Sequence, residues 1–221
     1  MGYKMVDQAY DLNRYQKSIF SESKNNINLR TETLAFDDVL LVPQYSEVES
    51  RANVNLSQNL DLNIKLNIPI ISSPMDTITE AAMARTMHEL GGIGIIHRYN
   101  SISEQAEMVH NAMAGGVRHP AAAIGVTGDF KERAMELARS GVNILCLDVA
   151  HGHHILMERA LKTLKDSYGK SIHLMAGNIA TLEGFNDLAD WGADSVRCGI
   201  GGGSICTTRI QTGHGVPGLT T

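Results

Sequence analysis

Residues 144–178 read ILCLDVAHGHHILMERALKTLKDSYGKSIHLMAGN, and the architecture follows from them. Ile144–Ala150 is an almost unbroken apolar run broken only by Asp148, as expected of a strand buried on both faces. His154–Tyr168 has the pattern of a helix, and Gly169 supplies the left-handed residue that closes one. His173–Ala176 is apolar again and runs into Gly177 and Asn178. Strand, helix and strand in this order make a βαβ unit with a parallel pair.

The same unit recurs in both directions. Apolar runs predict strands at Ile68–Ser73, Ile93–His97, Ala121–Val126 and Ser195–Ile200. Helical patterns lie between them at Thr79–Leu90, Ser101–Ala114, Asp129–Ser140 and Leu182–Trp191. Ser101 and Glu104 form a capping-box pair, and Gly91-Gly92, Gly115-Gly116, Gly141 and Gly192 are placed to end helices. A doubly wound sheet would carry a glycine fingerprint after its first strand. Here that strand runs into Ser72-Ser73-Pro74-Met75-Asp76 instead. Polar residues and glycines follow nearly every strand: Ser73, His97 and Arg98, Thr127, Asp148 and His151, Asn178, and Gly199 to Gly203. That distribution is the habit of an α/β (β/α)₈ TIM barrel.

Only about six βα units can be counted, whereas a closed barrel takes eight strands and typically about 250 residues. The chain is therefore expected to be a fragment or half of a split protein, or to reuse an early hairpin to fill the gap. Alternating residues from Val54 to Leu66 supply such a hairpin. Residues 1–30 read as a polar N-terminal arm, and residues 31–221 as an incomplete barrel ending in a cysteine-bearing loop.

Composition narrows the function classes. With 24 acidic against 19 basic residues and a net charge of −5, the 221-residue chain is no generic nucleic-acid binder. No apolar run approaches the length of a membrane span, and the N-terminus has no apolar signal core. Cys146, Cys198 and Cys206 read as free thiols of a reducing compartment, which makes a cytoplasmic location the expectation. Cys146 and Cys198 lie inside apolar runs and are expected in the core.

Chemistry concentrates in Arg197-Cys198-Gly199-Ile200-Gly201-Gly202-Gly203-Ser204-Ile205-Cys206-Thr207-Thr208-Arg209. A glycine-rich loop after a strand lets backbone amides approach an anion, and Ser204 adds a hydroxyl. Cys206 needs help to ionise near neutral pH, and the loop amides with Arg209 or Arg197 could supply it. His151, His153 and His154 lack the spacing of a zinc site. His97 and Arg98 read as barrel-rim residues.

GIGGGSICTTR resembles the catalytic-cysteine loop of the inosine-5′-monophosphate dehydrogenase and GMP reductase family. FDDVLLVPQYS, IPIISSPMDTITE, GGIGIIHR, LDVAHGH and MAGNIAT extend the resemblance over roughly Thr33 to Thr221. The resemblance implies an oxidoreductase on a (β/α)₈ barrel, usually a homotetramer, that converts IMP to XMP with NAD⁺ in guanine nucleotide biosynthesis. Cys206 then matches the nucleophile that attacks C2 of the purine, and Thr208 the hydroxyl that supports it. Gly203 and Ser204 match phosphate-loop positions, Ser73 and Met75 nucleotide contacts, and Asn178 and Arg197 polar neighbours of the purine. Asp148 matches the carboxylate that takes the ribose hydroxyls of the cofactor, with Ala150 and His151 beside it. Gly201, Gly203 and Cys206 match carbonyls that hold a monovalent cation, normally K⁺.

The alternative within the family is GMP reduction to IMP with NADPH. SSPMDT, Arg197 and AHGH resemble the dehydrogenase; LDVA and TGHG resemble the reductase. The family's regulatory CBS modules have no room between Arg98 and Ala121. Its second phosphate segment, mobile flap and catalytic glutamate have no counterpart before Thr221. The isolated chain is therefore expected to be inactive or nearly so, or to be completed by a separate C-terminal polypeptide. A purine-nucleotide binder without catalysis is the reading from another class.

Overall fold

The computed structural model describes residues 33–221; the arm expected over residues 1–30 lies outside the described residues. A two-stranded antiparallel hairpin, β1 (Gln58–Asn59) and β2 (Lys65–Leu66), precedes six parallel strands. These are β3 (Ile71–Ser72), β4 (Ile93–Ile96), β5 (Ala121–Ile124), β6 (Ile144–Asp148), β7 (His173–Ile179) and β8 (Ser195–Cys198). Between them run α1 (Ala81–Glu89), α2 (Ile102–Ala114), α3 (Phe130–Arg139), α4 (Ile155–Tyr168) and α5 (Leu182–Asp190), with a short α6 (Thr207–Thr212) after β8.

Each strand pairs with its neighbour in sequence, in the order β3-β4-β5-β6-β7-β8. A doubly wound sheet reverses direction at a switch point; this one never does, so it is barrel-type winding. The sheet also curls, because residues of β3, β4, β7 and β8 line one cleft of about 170 Å³. The result is a six-strand half-barrel.

Side-chain alternation divides the core in two. Leu145 and Leu147 of β6, Leu174 and Ala176 of β7, and Ala122 and Ile124 of β5 pack outward against Val109, Leu137, Leu161 and Leu188 of the helices. Ile144, Cys146, Ala121, Ala123, Ile95 and Met175 face inward. Ile64 and Leu66 of the hairpin join that inner set. The hairpin thus covers part of the concave apolar face without entering the six-stranded sheet.

The hairpin is pinned by a buried polar relay. Asp61 Oδ1 accepts from the amides of Asn63 and Ile64 at 2.6 and 2.8 Å. Its Oδ2 lies 2.5 Å from His173 Nδ1, and His173 Nε2 lies 2.7 Å from Ser195 Oγ. Burial opposes ionisation of Asp61, but these hydrogen bonds and the His173 charge hold its carboxyl below the ordinary value of 3.8. A carboxyl depressed in the folded state stabilises above the unfolded pKa, and that contribution is lost as pH falls through the folded value. Asp61→Ala is expected to cost about 1–3 kcal/mol at pH 7, the range for stranding buried hydrogen-bond partners. Urea unfolding checks this, and the difference from the parent should shrink in acid.

The structure trims several expected elements. β3 is confined to Ile71–Ser72, since Pro69 has no amide to donate and Asn67 and Ile68 donate to Gly91 O. α1 begins at Ala81 because Thr79 bonds back to Ser72 Oγ and Ser73 O. The Ser101–Glu104 capping box is present. Of the paired glycines, Gly91 and Gly116 adopt positive φ, at 91° and 93°, while Gly115 caps α2 at φ −84°. Cys198 is exposed, contrary to the core reading, because it sits at the C-terminal tip of β8 on the last strand of the sheet.

Candidate active site

Strand ends and the β8–α6 loop assemble the polar face of the half-barrel. Cys206 is the N-cap of α6, and its amide donates to Gly203 O at 3.0 Å. The backbone amides of Arg209 and then Thr208, at the head of α6, bias its thiol toward the thiolate, although neither forms a capping hydrogen bond to Sγ. Partial burial opposes them, and the Thr208 hydroxyl and the Arg209 charge add to the lowering. The net effect puts the Cys206 pKa below that of an ordinary cysteine. Of the two arginines considered for this task, Arg209 is the one that serves.

Arg209 also shapes the loop. Its Nε donates to Gly201 O at 2.9 Å, and Gly201 packs closely against His214 O and Gly215. Gly201 adopts φ 60°, a left-handed turn that a side chain would strain. Gly203 and Ser204 are exposed, and a Cβ at Gly203 would meet nothing within 4 Å. Among the described residues, no backbone hydrogen bond uses the amides of Gly202, Gly203 or Ser204. Free amides on an open glycine loop suit an anion.

Arg197 and Asp148 face each other across β8 and β6, and Arg197 Nη1 pairs with Asp148 Oδ1. The same nitrogen lies 3.7 Å from Cys146 Sγ. Burial pushes the Cys146 thiol up to about 12, so Cys146 is an inert core thiol, as its apolar run suggested. Gly177 makes room for this arrangement: a Cβ there would lie 2.7 Å from Arg197 Cβ and 2.9 Å from Arg197 O. Ser73 and Arg197 line one cleft with Pro74, Ile71 and Met175. Met75 is half exposed in the turn after β3, where its carbonyl accepts from Ile78 and Thr79, and it does not line that cleft.

Asn178 is partly buried near the end of β7, at the register shift between Gly177 and Ile179, and its Oδ1 is buried without a partner. Its backbone is tied down: the amide donates to Val149 O, and the carbonyl accepts from Gly152 at 2.6 Å. No non-glycine residue among those described has positive φ, so Asn178 does not serve as a left-handed turn residue. Ala150 and His151 are exposed just after Asp148. His154, not Asp148, caps α4, while His153 bonds Asp187 at 2.7 Å.

Sequence reading missed three features here. Arg98 Nη2 donates to Asp148 O at 3.3 Å and so braces the same strand end. Arg133, inside α3, bonds Gln105, Asn100 O and Asp129, and Gln105 donates to His97 O and Ala123 O. The Arg197–Asp148 pair joins residues 49 apart. Only the presence of charged residues in otherwise apolar strands hinted at such pairing.

The donor sets can be tested against the groups the motifs imply. Asp148 keeps Oδ2 beside the paired Oδ1, and the orphaned Asn178 Oδ1 lacks a donor, so this rim fits a ligand carrying hydroxyl or N–H groups. The carbonyls of Gly201, Gly203 and Cys206 each accept a hydrogen bond within the chain, from Arg209 Nε, the Cys206 amide and the Ile210 amide. One hydrogen bond leaves each carbonyl oxygen a second lone pair, which is the donor a monovalent cation would use.

Comparison with known proteins agrees with this layout. A family model described as IMP dehydrogenase / GMP reductase domain matches residues 33–221. The inosine-5′-monophosphate dehydrogenase of Cryptosporidium parvum is 38% identical over 229 aligned residues, covering 85% of this chain and 56% of that protein. That of Borreliella burgdorferi is 36% identical over 238 residues, covering 86% of this chain and 58% of that protein. That of Nitrosopumilus maritimus is 29% identical over 312 residues, with 86% and 65% covered. The chain thus spans between 56% and 65% of the length of these relatives.

Proposed function

The chain belongs to the IMP dehydrogenase / GMP reductase family, and from that premise we propose that it carries the nucleophile half of an IMP-oxidising site. The carrying observation is the placement of Cys206 at the N-cap of α6, directly after an open glycine loop, where the neighbouring amides of Arg209 and Thr208 lower its pKa. In this reading the Cys206 thiolate adds to C2 of the purine of IMP, forming the S–C bond. NAD⁺, when bound, supplies the acceptor for the hydride that leaves C2. Water then hydrolyses the thioimidate, releasing XMP and the free thiol, and the proton leaves only as that thiol returns to the thiolate.

This chain's own residues bind and orient. The unspent amides of Gly202, Gly203 and Ser204 take the 5′-phosphate, with the Ser204 hydroxyl adding a donor. Ser73 and Met75 flank the nucleotide, and Asn178 Oδ1 and Arg197 face the purine. Asp148, with Ala150 and His151 beyond it, offers its second oxygen to ribose hydroxyls of the cofactor. No step is routed through K⁺. The similar proteins are named inosine-5′-monophosphate dehydrogenases, which favours IMP oxidation over GMP reduction.

Homotetramer assembly belongs to the same proposal. Leu40 and Leu41, at 96% and 99% exposure, with Val42 and Tyr45, form an apolar strip suited to a neighbouring subunit. Its three free thiols support a cytosolic location as part of the same reading.

Alkylation by iodoacetamide, read by peptide mass, tests the site. Cys206 should react faster than Cys198, with Cys146 last, and IMP should protect Cys206 alone. The pH at which Cys206 reactivity is half-maximal should lie below that of a free cysteine thiol, because the thiolate forms earlier. Equal reactivity of Cys206 and Cys198, unchanged by IMP, sinks the proposal.

A further inference from the structure

The opposite mouth of the half-barrel holds a second cavity of about 320 Å³. It lies where the parallel strands begin, beside Ile93 of β4 and the Val117–His119 segment before β5. Ser73, Asp148, Asn178 and the Cys206 loop all lie at or beyond the other ends of their strands. This cavity is thus separate from the active-site rim.

Its polar walls come from three places in the chain. Asn63, Lys65 and Asn67 belong to the hairpin and the turn after it, His88 to the last turn of α1, and Arg118 and His119 to the loop before β5. No Asp or Glu is among the lining residues. In a chain of net charge −5, an acid-free pocket bearing Lys, Arg and two His is a local inversion of the surface charge. Asp61 raises the His119 pKa, but its carboxylate is already committed to His173 and the amides of Asn63 and Ile64.

Lys65 and Arg118 carry the positive charge of this pocket, and His119 enters as a neutral donor. Burial lowers the His119 pKa first, and the charges of His88 and Arg118 lower it further. Positive groups gathered in a concavity without a counter-charge raise the local concentration of anions. Arg118 offers a planar fork that matches two oxygens of one phosphate, and Lys65 a compact point charge. The Asn63 and Asn67 amides can donate as well.

We propose that this cavity is a binding site for a small phosphate-bearing anion, held by Lys65 and Arg118 with His88, His119, Asn63 and Asn67 as further donors. Its volume falls at the lower end for small-molecule pockets, enough for a diphosphate group. A nucleic-acid backbone does not fit, because the cationic groups are gathered in one pocket rather than along a stripe. The diphosphate could be free or the tail of a nucleotide, and the test separates the two.

Histidine-ring NMR on the whole chain reports the site directly. The His88 and His119 signals are assigned from His88→Gln and His119→Gln, and sodium pyrophosphate and ATP are titrated separately at constant ionic strength. Both rings should shift saturably, with half-saturation below about 1 mM, the weak end of specific small-ligand binding. Lys65→Ala and Arg118→Ala should each weaken binding about tenfold, as expected for loss of a charge-assisted hydrogen bond. Both side chains are exposed, so these variants should fold. Ser204→Ala, at the far rim, should leave the shifts unchanged. ATP binding much tighter than pyrophosphate supports a nucleotide tail, and equal affinities support free phosphate. Linear, non-saturating shifts, shifts matched by added chloride, or shifts that persist in the Lys65→Ala/Arg118→Ala double variant would overturn the assignment.

Discussion

Replacing Cys206 with serine is expected to abolish covalent capture of IMP and to lower any turnover on the order of 10⁶-fold, the scale for losing a catalytic nucleophile. A serine hydroxyl in the same place stays neutral at pH 7, and the amides of Arg209 and Thr208 that favour the thiolate have no comparable anion to stabilise. Intact-mass measurement after incubation with IMP and NAD⁺ checks the first part: the parent should gain a nucleotide adduct that Cys206→Ser lacks. Cys198→Ser is the matched control, since that thiol is exposed and burial raises its pKa. Thr208→Val separates nucleophile from support. It removes the hydroxyl that helps to lower the Cys206 pKa but leaves the amides, so alkylation of Cys206 should slow several-fold rather than stop. An adduct of equal yield in Cys206→Ser would place the reactive group elsewhere.

Repetition made the fold legible. Six apolar runs at a spacing of about 22 to 29 residues, each followed by a helix or a polar turn, allow little besides sequential parallel winding. The sheet order contains no switch point, as strand ends without a phosphate fingerprint implied. Contacts between distant residues were not legible. Asp61, His173 and Ser195 meet across as many as 112 residues of intervening chain, and none carries a local motif. Cys198 was misplaced because an apolar run reports burial only where neighbours cover both faces, and β8 has a paired strand on one side alone. The Cys206 loop was the reverse case. Its glycines, hydroxyls and Arg209 are adjacent in sequence, so local composition already carried the electrostatics that the folded loop displays.

Arg197→Met is expected to destabilise the fold by about 2–3 kcal/mol, toward the lower end for removing one partner of a buried ion pair. The reduction reflects side chains that remain 26% and 18% exposed. Methionine keeps much of the stem that packs over Gly177 and leaves Asp148 ionised in the curl of the sheet without its guanidinium. Arg197→Lys should cost less, since it keeps the charge and loses only the fork. In the Arg197→Met/Asp148→Asn double variant, the stranded charge is gone. Part of the loss should therefore return, with a coupling above about 1 kcal/mol in urea unfolding. Function should follow a different order. Asp148→Asn removes the acceptor offered to cofactor hydroxyls, whereas Arg197→Met frees that acceptor but unsettles the purine side of the cleft. IMP protection of Cys206 should thus weaken in Arg197→Met and persist in Asp148→Asn. Additive single effects within about 0.5 kcal/mol would show that the two residues stand close without acting together.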